Sequence, residues 1–235
     1  MADVKTIKAI AVASVKTLKG IAIASVKTKK GITFASGSNT YSLVQSSGDV
    51  FGASGGTTGN KNTSGANLIV IGIWCLTSAG ENISDNQGNT YTGLTSQIDF
   101  GMDVKLYYKI SPTTSSTHTF STTSHYVGVG VQSWLSTGTP VFDQQSGNHA
   151  NASGNLQPGS LTPSVNNCIA ITAFGTFNGA APTTPSGYTS TANNATATAE
   201  GGGMAYVIQT TATATNPTWN GTGSSQCAVL AVFKP

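Results

Sequence analysis

Residues 67–77, NLIVIGIWCLT, carry apolar side chains on both alternating faces of the segment. Successive side chains of a strand point to opposite faces of its sheet, so such a run predicts a strand that is covered on both sides. Two further runs share this property, CIAITAFGTF (168–177) and CAVLAVF (227–233). We therefore expect these three runs to be the central strands of a β domain.

Shorter runs rich in Thr, Val, Tyr and Phe surround the central ones, separated by Gly, Asn, Ser and Pro. These turn residues between short strands are typical of a sandwich. The sequence therefore predicts an all-β fold, an antiparallel β-sandwich of jelly-roll or immunoglobulin-like type. Its remaining strands are expected at 40–45, 104–110, 117–122, 126–135 and 204–211.

The expected body spans residues 67–235, and residues 37–66 provide a first strand and a loop rich in Gly, Ser and Thr. VKLYYKI (104–110) and THTFST (117–122) alternate polar and apolar residues, so both strands should be half exposed. Residues 45–66 and 178–203 are expected to be long loops.

Charge is scarce and unevenly distributed along the chain. Only 8% of the residues are charged, and all eleven basic residues are lysines. Residues 1–36 hold seven lysines and one acid, whereas residues 37–235 hold four lysines and seven acids. A basic arm on an acidic body can pair with neighbouring copies, a membrane surface or nucleic acid. Nucleic acid is disfavoured, because the arm lacks arginine and interleaved aromatic residues.

The basic segment contains three copies of one eleven-residue unit: VKTIKAIAVAS (4–14), VKTLKGIAIAS (15–25) and VKTKKGITFAS (26–36). Repetition within MADVKTIKAIAVAS and beyond it favours structure over a signal peptide, so we expect the mature chain to begin at or near Met1. No run has the roughly 20 consecutive apolar residues that a membrane span needs.

Two conformations fit the repeat. Strands would turn at Lys19-Gly20 and Lys30-Gly31, and this is the favoured interpretation. A helix with an eleven-residue period would form a slightly right-handed coiled coil. Either form is too small to bury its own apolar side, so the arm must dock on another chain or surface. The expected contact residues are Val4, Ile7, Ile10, Val12, Val15, Leu18, Ile21, Ile23, Val26 and Ile32.

No metal site or cofactor site is predicted. His118, His125 and His149 lack metal-ligand spacing and are expected at the surface. Residues 85–89, DNQGN, offer oxygen atoms to calcium, but a hairpin turn is the favoured interpretation. Asp99 and Asp103 are close enough in sequence to approach each other, yet loop solvation explains them better than glycoside hydrolysis.

Aromatic residues and cysteines have mostly structural explanations. Trp74 and Trp134 lie in apolar runs and should belong to the core, and Tyr107 and Tyr108 should point to opposite faces of one strand. Trp219, in the loop NPTWNGTG, is the best candidate for a surface aromatic contact, although packing against the end of the sandwich is the competing interpretation. The three cysteines are expected to be buried free thiols, with a Cys168–Cys227 disulfide as the alternative.

The order of SDNQGNTYTGL (84–94), VKLYYKI (104–110), YVGVGVQSWL (126–135) and AVLAVFKP (228–235) resembles a β-sandwich domain of bacteriophage structural proteins and secreted bacterial surface proteins. The resemblance covers about residues 67–235 and implies the fold rather than an activity. The repeated arm is likewise similar to N-terminal segments of phage virion proteins.

These observations favour a non-enzymatic structural subunit of an extracellular particle, in particular a phage virion protein of the head-decoration, head-fibre or tail-associated kind. Its partners would be copies of itself, as a homo-oligomer, or other virion proteins, bound through residues 1–36. A host-surface glycan is a further expected partner. The alternatives are a secreted glycan-binding adhesin and a self-polymerising extracellular filament subunit; a glycoside-cleaving enzyme ranks last.

Overall fold

The computed structural model divides the chain into two units, Met1–Ser38 and Asn39–Pro235. It describes residues 40–52, 55–76, 82–123, 127–195 and 200–235 of the second unit. In the first unit it describes four two-residue strands, β1 (Thr17–Leu18), β2 (Ile21–Ala22), β3 (Thr28–Lys29) and β4 (Ile32–Thr33).

The described part of the arm consists of two antiparallel strand pairs. Strand β1 pairs with β2, and β3 pairs with β4, each across two residues that the sequence gives as Lys-Gly. The second pair repeats the first at the eleven-residue spacing of the sequence repeat. For these residues the strand interpretation is confirmed and the helical alternative is wrong.

The second unit, called the body below, is built from strands throughout its described residues. Its sixteen strands are β5 (Tyr41–Val50), β6 (Gly56–Thr57), β7 (Leu68–Leu76), β8 (Ile83–Asp85), β9 (Thr92–Gly93), β10 (Gln97–Asp99), β11 (Met102–Ile110), β12 (Phe120–Thr122), β13 (Val127–Ser136), β14 (Val141–Ala150), β15 (Gly154–Leu156), β16 (Cys168–Phe177), β17 (Thr189–Ala195), β18 (Gly201–Gln209), β19 (Trp219–Gly221) and β20 (Ser225–Lys234). The predicted all-β class is confirmed.

Two antiparallel sheets form the sandwich. The first has the order β10-β11-β7-β13-β5, with β9 also paired to β11, and the second has the order β14-β20-β16-β18-β17. Between them lies a core that includes Trp74, Trp134 and Phe233, all fully buried. The predicted central strands β7, β16 and β20 each have a neighbour on both sides.

Additional layers cover the outer faces of both sheets, which explains why the central strands are apolar on two faces. A small sheet of order β6-β12-β8 lies outside the first sheet, where Phe120 joins a cluster with Ile71 and Val129. The β15–β19 pair contributes Leu156 and Trp219 to a cluster on the second sheet. Each large apolar side chain buried in this way stabilises the fold by about 1.5–3 kcal/mol.

Several sequence-based predictions of strands and loops were wrong. The polar segment VFDQQSGNHA forms the ten-residue edge strand β14, which was not predicted because an edge strand with an exposed side needs few apolar residues. Residues 178–203 are not one loop, since they contain β17 and the start of β18, and β5 continues through residue 50. Strand β11 is buried over more of its length than the predicted half, because β9 and the outer cluster cover part of its outer face.

The body has two distinct ends. At one end the chain enters β5, and the Tyr41 hydroxyl donates to the Lys234 carbonyl at 2.6 Å, so both termini of the body meet there; we call this the attachment end. Strands β7, β11 and β13 place Leu76, Met102 and Val127 at the opposite end. There the Ser225 hydroxyl contacts the Asp99 carbonyl and carboxylate, each at 2.9 Å, and joins the two sheets. We call this the far end.

Candidate functional site

The predicted assembly residues fall only partly within the described structure. Leu18, Ile21 and Ile32 lie in the paired strands β1, β2 and β4. The other predicted contact residues lie outside the described residues: Val4, Ile7, Ile10, Val12, Val15, Ile23 and Val26. The arm strands are two residues long, far shorter than the five or six residues of a typical strand.

A polar cluster buried beside the small outer sheet is centred on His118. Its Nε2 lies 2.8 Å from Asp85 Oδ2, and its Nδ1 lies 2.8 Å from the Thr63 hydroxyl. Its ring stacks on Phe120 with centroids 4.4 Å apart. Backbone hydrogen bonds in both directions between Lys61 and His118 fix the segment that carries the imidazole.

The Asp85 carboxylate is the acceptor that organises the loop after β8. It accepts hydrogen bonds from the backbone N–H groups of Gln87 and Asn89, from the Asn89 amide and from the Tyr91 hydroxyl at 2.6 Å. Burial raises the pKa of Asp85, but the hydrogen bonds from Tyr91, Asn89 and His118 outweigh burial and leave the pKa below its ordinary value. Burial and the neighbouring Asp85 raise the pKa of Tyr91.

The predicted turn at residues 85–89 is confirmed, with Gly88 at φ +73°, a backbone conformation that suits glycine. It is not a hairpin turn, because β8 pairs with β12 whereas β9 pairs with β11. The Asp85 oxygens are engaged by N–H and O–H donors, which is how a turn uses an aspartate and not how a calcium loop uses one.

The cluster has the residue types of a hydrolase triad, a hydroxyl, an imidazole and a carboxylate. Its arrangement is that of a buried hydrogen-bond network that stabilises the fold. The His118 and Thr63 side chains have no exposed surface, so no substrate can reach the hydroxyl. The prediction that His118 lies at the surface was therefore wrong. Sequence reasoning missed the cluster because 33 residues separate Asp85 from His118, and only the fold brings them together.

Trp219 is not a surface aromatic. It has 0% exposure, stacks on Phe174 with centroids 5.6 Å apart and donates its Nε1–H to the Thr172 hydroxyl at 2.9 Å. The prediction that Trp219 makes a surface aromatic contact is therefore wrong, and the competing interpretation, that it packs against the sandwich, is confirmed. Trp74 and Trp134 are buried in the core as predicted.

The cysteines are free and buried, as the favoured interpretation predicted, and Cys168 and Cys227 are not bonded. Burial raises the pKa of Cys227 to about 12, which suppresses its nucleophilic thiolate. Among the described residues, no group of three or more His, Cys, Asp and Glu side chains is arranged to hold a metal ion.

Asp99 and Asp103 do not form a catalytic pair. Ile98 is the register partner of Asp103 across the β10–β11 hairpin, so Asp99, the next residue along β10, points to the opposite face. Asp99 is bonded to Ser225. Asp103 is buried with Oδ1 lacking a hydrogen-bond partner, and burial raises its pKa to about 6, against a smaller lowering by Lys105.

A shallow polar depression of about 200 Å³ lies on the flank of the body where the edge strands β10 and β14 face each other. Its lining carries amides, hydroxyls and no charged side chain: Thr95, Gln97, Gln145, Ser146 and Gly147. Gln145 and Thr95 hold each other through two hydrogen bonds, of 3.0 and 2.9 Å.

No protein-family model, curated protein or solved structure matches this chain. The described residues contain no helix with the length and apolar character needed to cross a membrane.

The long edge strands of the body share a protective feature. Strands β5, β14 and β17 each contain one residue without a register partner: Val44, Asp143 and Thr191. A β-bulge of this kind twists a sheet edge and discourages the addition of a further strand. These bulges make the long edge strands poorer templates for pairing with a further strand.

Proposed function

We propose that this chain is a non-enzymatic structural subunit of an extracellular particle, assembled through residues 1–36 and displaying the β-sandwich outward. A phage virion protein of the head-decoration, head-fibre or tail-associated kind is the form that the sequence resemblance favours. A self-polymerising filament subunit is the second form, and it shares the same arm.

The observation that carries the proposal is the contrast between the two units. The arm repeats an apolar, lysine-rich unit three times, and its described residues pair in strands of two residues. Isolated two-stranded hairpins are marginally stable at best in water. The body, in contrast, covers the outer faces of its central strands and carries a bulge in each long edge strand. We therefore expect copies of the chain to associate through the arm and not through the body.

The body has two different ends. Tyr41 and Lys234 are hydrogen-bonded at one end, and the Asp99–Met102 hairpin lies at the other. The non-enzymatic assignment is supported by the burial of the Thr63–His118–Asp85 cluster, whose hydroxyl has no exposed surface.

Sedimentation of the full-length chain and of a variant lacking residues 1–36 tests the proposal. We expect the full-length chain to exceed its monomer mass of 23.8 kDa several-fold, and the deletion variant to be a folded monomer. A matched control replaces Val141 and Val165, exposed at the attachment end of the body, with serine and should assemble normally. A deletion variant that assembles as the full-length chain does would overturn the proposal.

Dependence on salt then identifies the surface that receives the arm. Seven lysines in each arm repel one another, so a bundle of arms should tighten as salt screens that repulsion. Arms that dock on the acidic bodies of neighbouring copies should instead dissociate as salt rises. Electron microscopy of the purified chain separates the two forms, since open-ended fibres identify the filament subunit and closed oligomers favour the particle protein.

A further inference from the structure

We infer that the β10 flank of the body binds an uncharged, hydroxyl-rich ligand, a neutral saccharide, through the depression between β10 and β14 and the aromatic ring of Phe100. This inference does not rest on assembly through the arm. It concerns residues of the body alone. Sedimentation of the deletion variant tests assembly through the arm, whereas saccharide binding tests this inference.

The depression is held in shape by contacts on both strands. Gly147 lets Gln97 approach closely, because a Cβ at residue 147 would lie 2.6 Å from Gln97 Cγ. Gln97 Nε2 donates to the Ser96 carbonyl at 3.1 Å, and Gln97 Oε1 lies 3.4 Å from Nδ1 of the exposed His149. The Ser146 hydroxyl donates to the Pro158 carbonyl at 2.6 Å, which fixes the floor on the β14 side.

Hydrogen-bonding capacity remains after these contacts are made. A side-chain amide nitrogen has two hydrogens, and the contacts above use one at Gln97 and one at Gln145. The Thr95 hydroxyl accepts from Gln145, so its own hydrogen is left to donate. Amides and hydroxyls that both donate and accept match the hydroxyl groups of a sugar, which also do both.

Phe100 supplies an exposed aromatic ring in the turn that follows β10. It is 76% exposed, the highest value among the exposed large apolar side chains of the described residues, and Ile98 on the same hairpin is 46% exposed. At the tip, Asp99 is bonded to Ser225, and Gly101 takes φ +88° in the turn. Phe100 lies three positions after Gln97, about 10 Å or less along the chain, which is within the length of a ligand of two sugar rings.

Charge determines the class of saccharide. The lining has no lysine or arginine to neutralise an anion, and Asp99 lies on the same hairpin. Residues 37–235 also carry a net negative charge, with seven acids against four lysines. Sialylated and sulfated saccharides should therefore bind more weakly than neutral ones of the same length.

The test is a glycan array followed by calorimetric titration, with the full-length chain and with neutral oligosaccharides of glucose, galactose and N-acetylglucosamine beside sialylated and sulfated counterparts. We expect the wild type to prefer a neutral ligand. Phe100→Ala and Gln97→Ala should each weaken binding about tenfold or more. Val165→Ala, a control at an exposed apolar residue of the attachment end, should leave binding unchanged.

Three results would overturn the inference. The first is no binding of any neutral saccharide by the folded wild type. The second is binding that the Phe100→Ala, Gln97→Ala double variant retains, since the ligand then lies elsewhere. The third is tighter binding of the acidic saccharides. Because Phe100 is exposed, its variant should fold, and an unchanged thermal midpoint and unchanged sedimentation would show that a loss of binding is local.

Discussion

Replacing Asp85 with alanine should destabilise the body strongly although it removes only a small side chain. The substitution leaves the fully buried His118 Nε2–H without its acceptor, at a cost of about 2–3 kcal/mol. Loss of the acceptor for the partly buried Tyr91 hydroxyl adds about 1 kcal/mol, and loss of the bonds to the Gln87 and Asn89 N–H groups adds about as much again. We expect a total loss of about 4–5 kcal/mol.

Urea denaturation of the full-length chain, followed by tryptophan fluorescence at low protein concentration, measures this loss. The matched control is Asp49→Ala, which removes a carboxylate 3.0 Å from Lys61 at a partly exposed position and should cost less than about 1 kcal/mol. If Asp85→Ala is no less stable than Asp49→Ala, the buried hydrogen bonds of the cluster do not stabilise the fold as proposed.

The same variant has a pH signature. Because the pKa of Asp85 is lowered on folding from its ordinary value of 3.8, its stabilising effect is fully present above that value. The effect is lost as the pH falls through the lower pKa of the folded state. The difference in unfolding free energy between wild type and Asp85→Ala should therefore shrink below about pH 4 and stay constant above it.

Other predictions concern the remaining buried groups. Burial raises the pKa of Asp103 to about 6, so the unfolding free energy should rise as the pH falls from about 6 towards 4. Asp103→Asn should flatten that slope and stabilise the chain at pH 7 by about 1–3 kcal/mol, because a pKa difference of one corresponds to about 1.4 kcal/mol. An unchanged slope in denaturation curves would contradict this. Trp219→Ala should lose about 3–5 kcal/mol through the cavity left against Phe174, whereas a loss below 1 kcal/mol would point to a surface residue. The three cysteines should resist alkylation in the native chain and react in denaturant, as mass spectrometry would show; rapid labelling of native Cys227 would contradict its burial.

The sequence predicted those parts of the fold that depend on local pattern. Residues 67–77 and 227–233 were identified as central strands because they are apolar on both faces, and the outer layers are the reason for that pattern. Strand β14 was missed because few of its residues are apolar, and its pairing with β20 is visible only in three dimensions. The described strands of the arm agree with those expected from its repeat and its Lys-Gly dipeptides.

The sites were less predictable than the strands. His118 was placed at the surface because its sequence neighbourhood has no metal-ligand spacing. Its partners are distant in sequence: Thr63 lies in a loop, and Asp85 lies at the end of β8. Trp219 has a polar sequence neighbourhood typical of an exposed loop, yet the fold lays it on Phe174. Among the residues that the structure describes, Phe100 is an exposed aromatic, and its position depends on a tight hairpin turn that sequence reasoning did not single out.

Amide hydrogen exchange of residues 4–36 in the intact assembly tests most directly whether the arm is the connector. Docked strands should exchange orders of magnitude more slowly than the same residues in a synthetic arm peptide, because their N–H groups are paired and shielded. Exchange at the rate of the free peptide, in an assembly of full mass, would contradict the account.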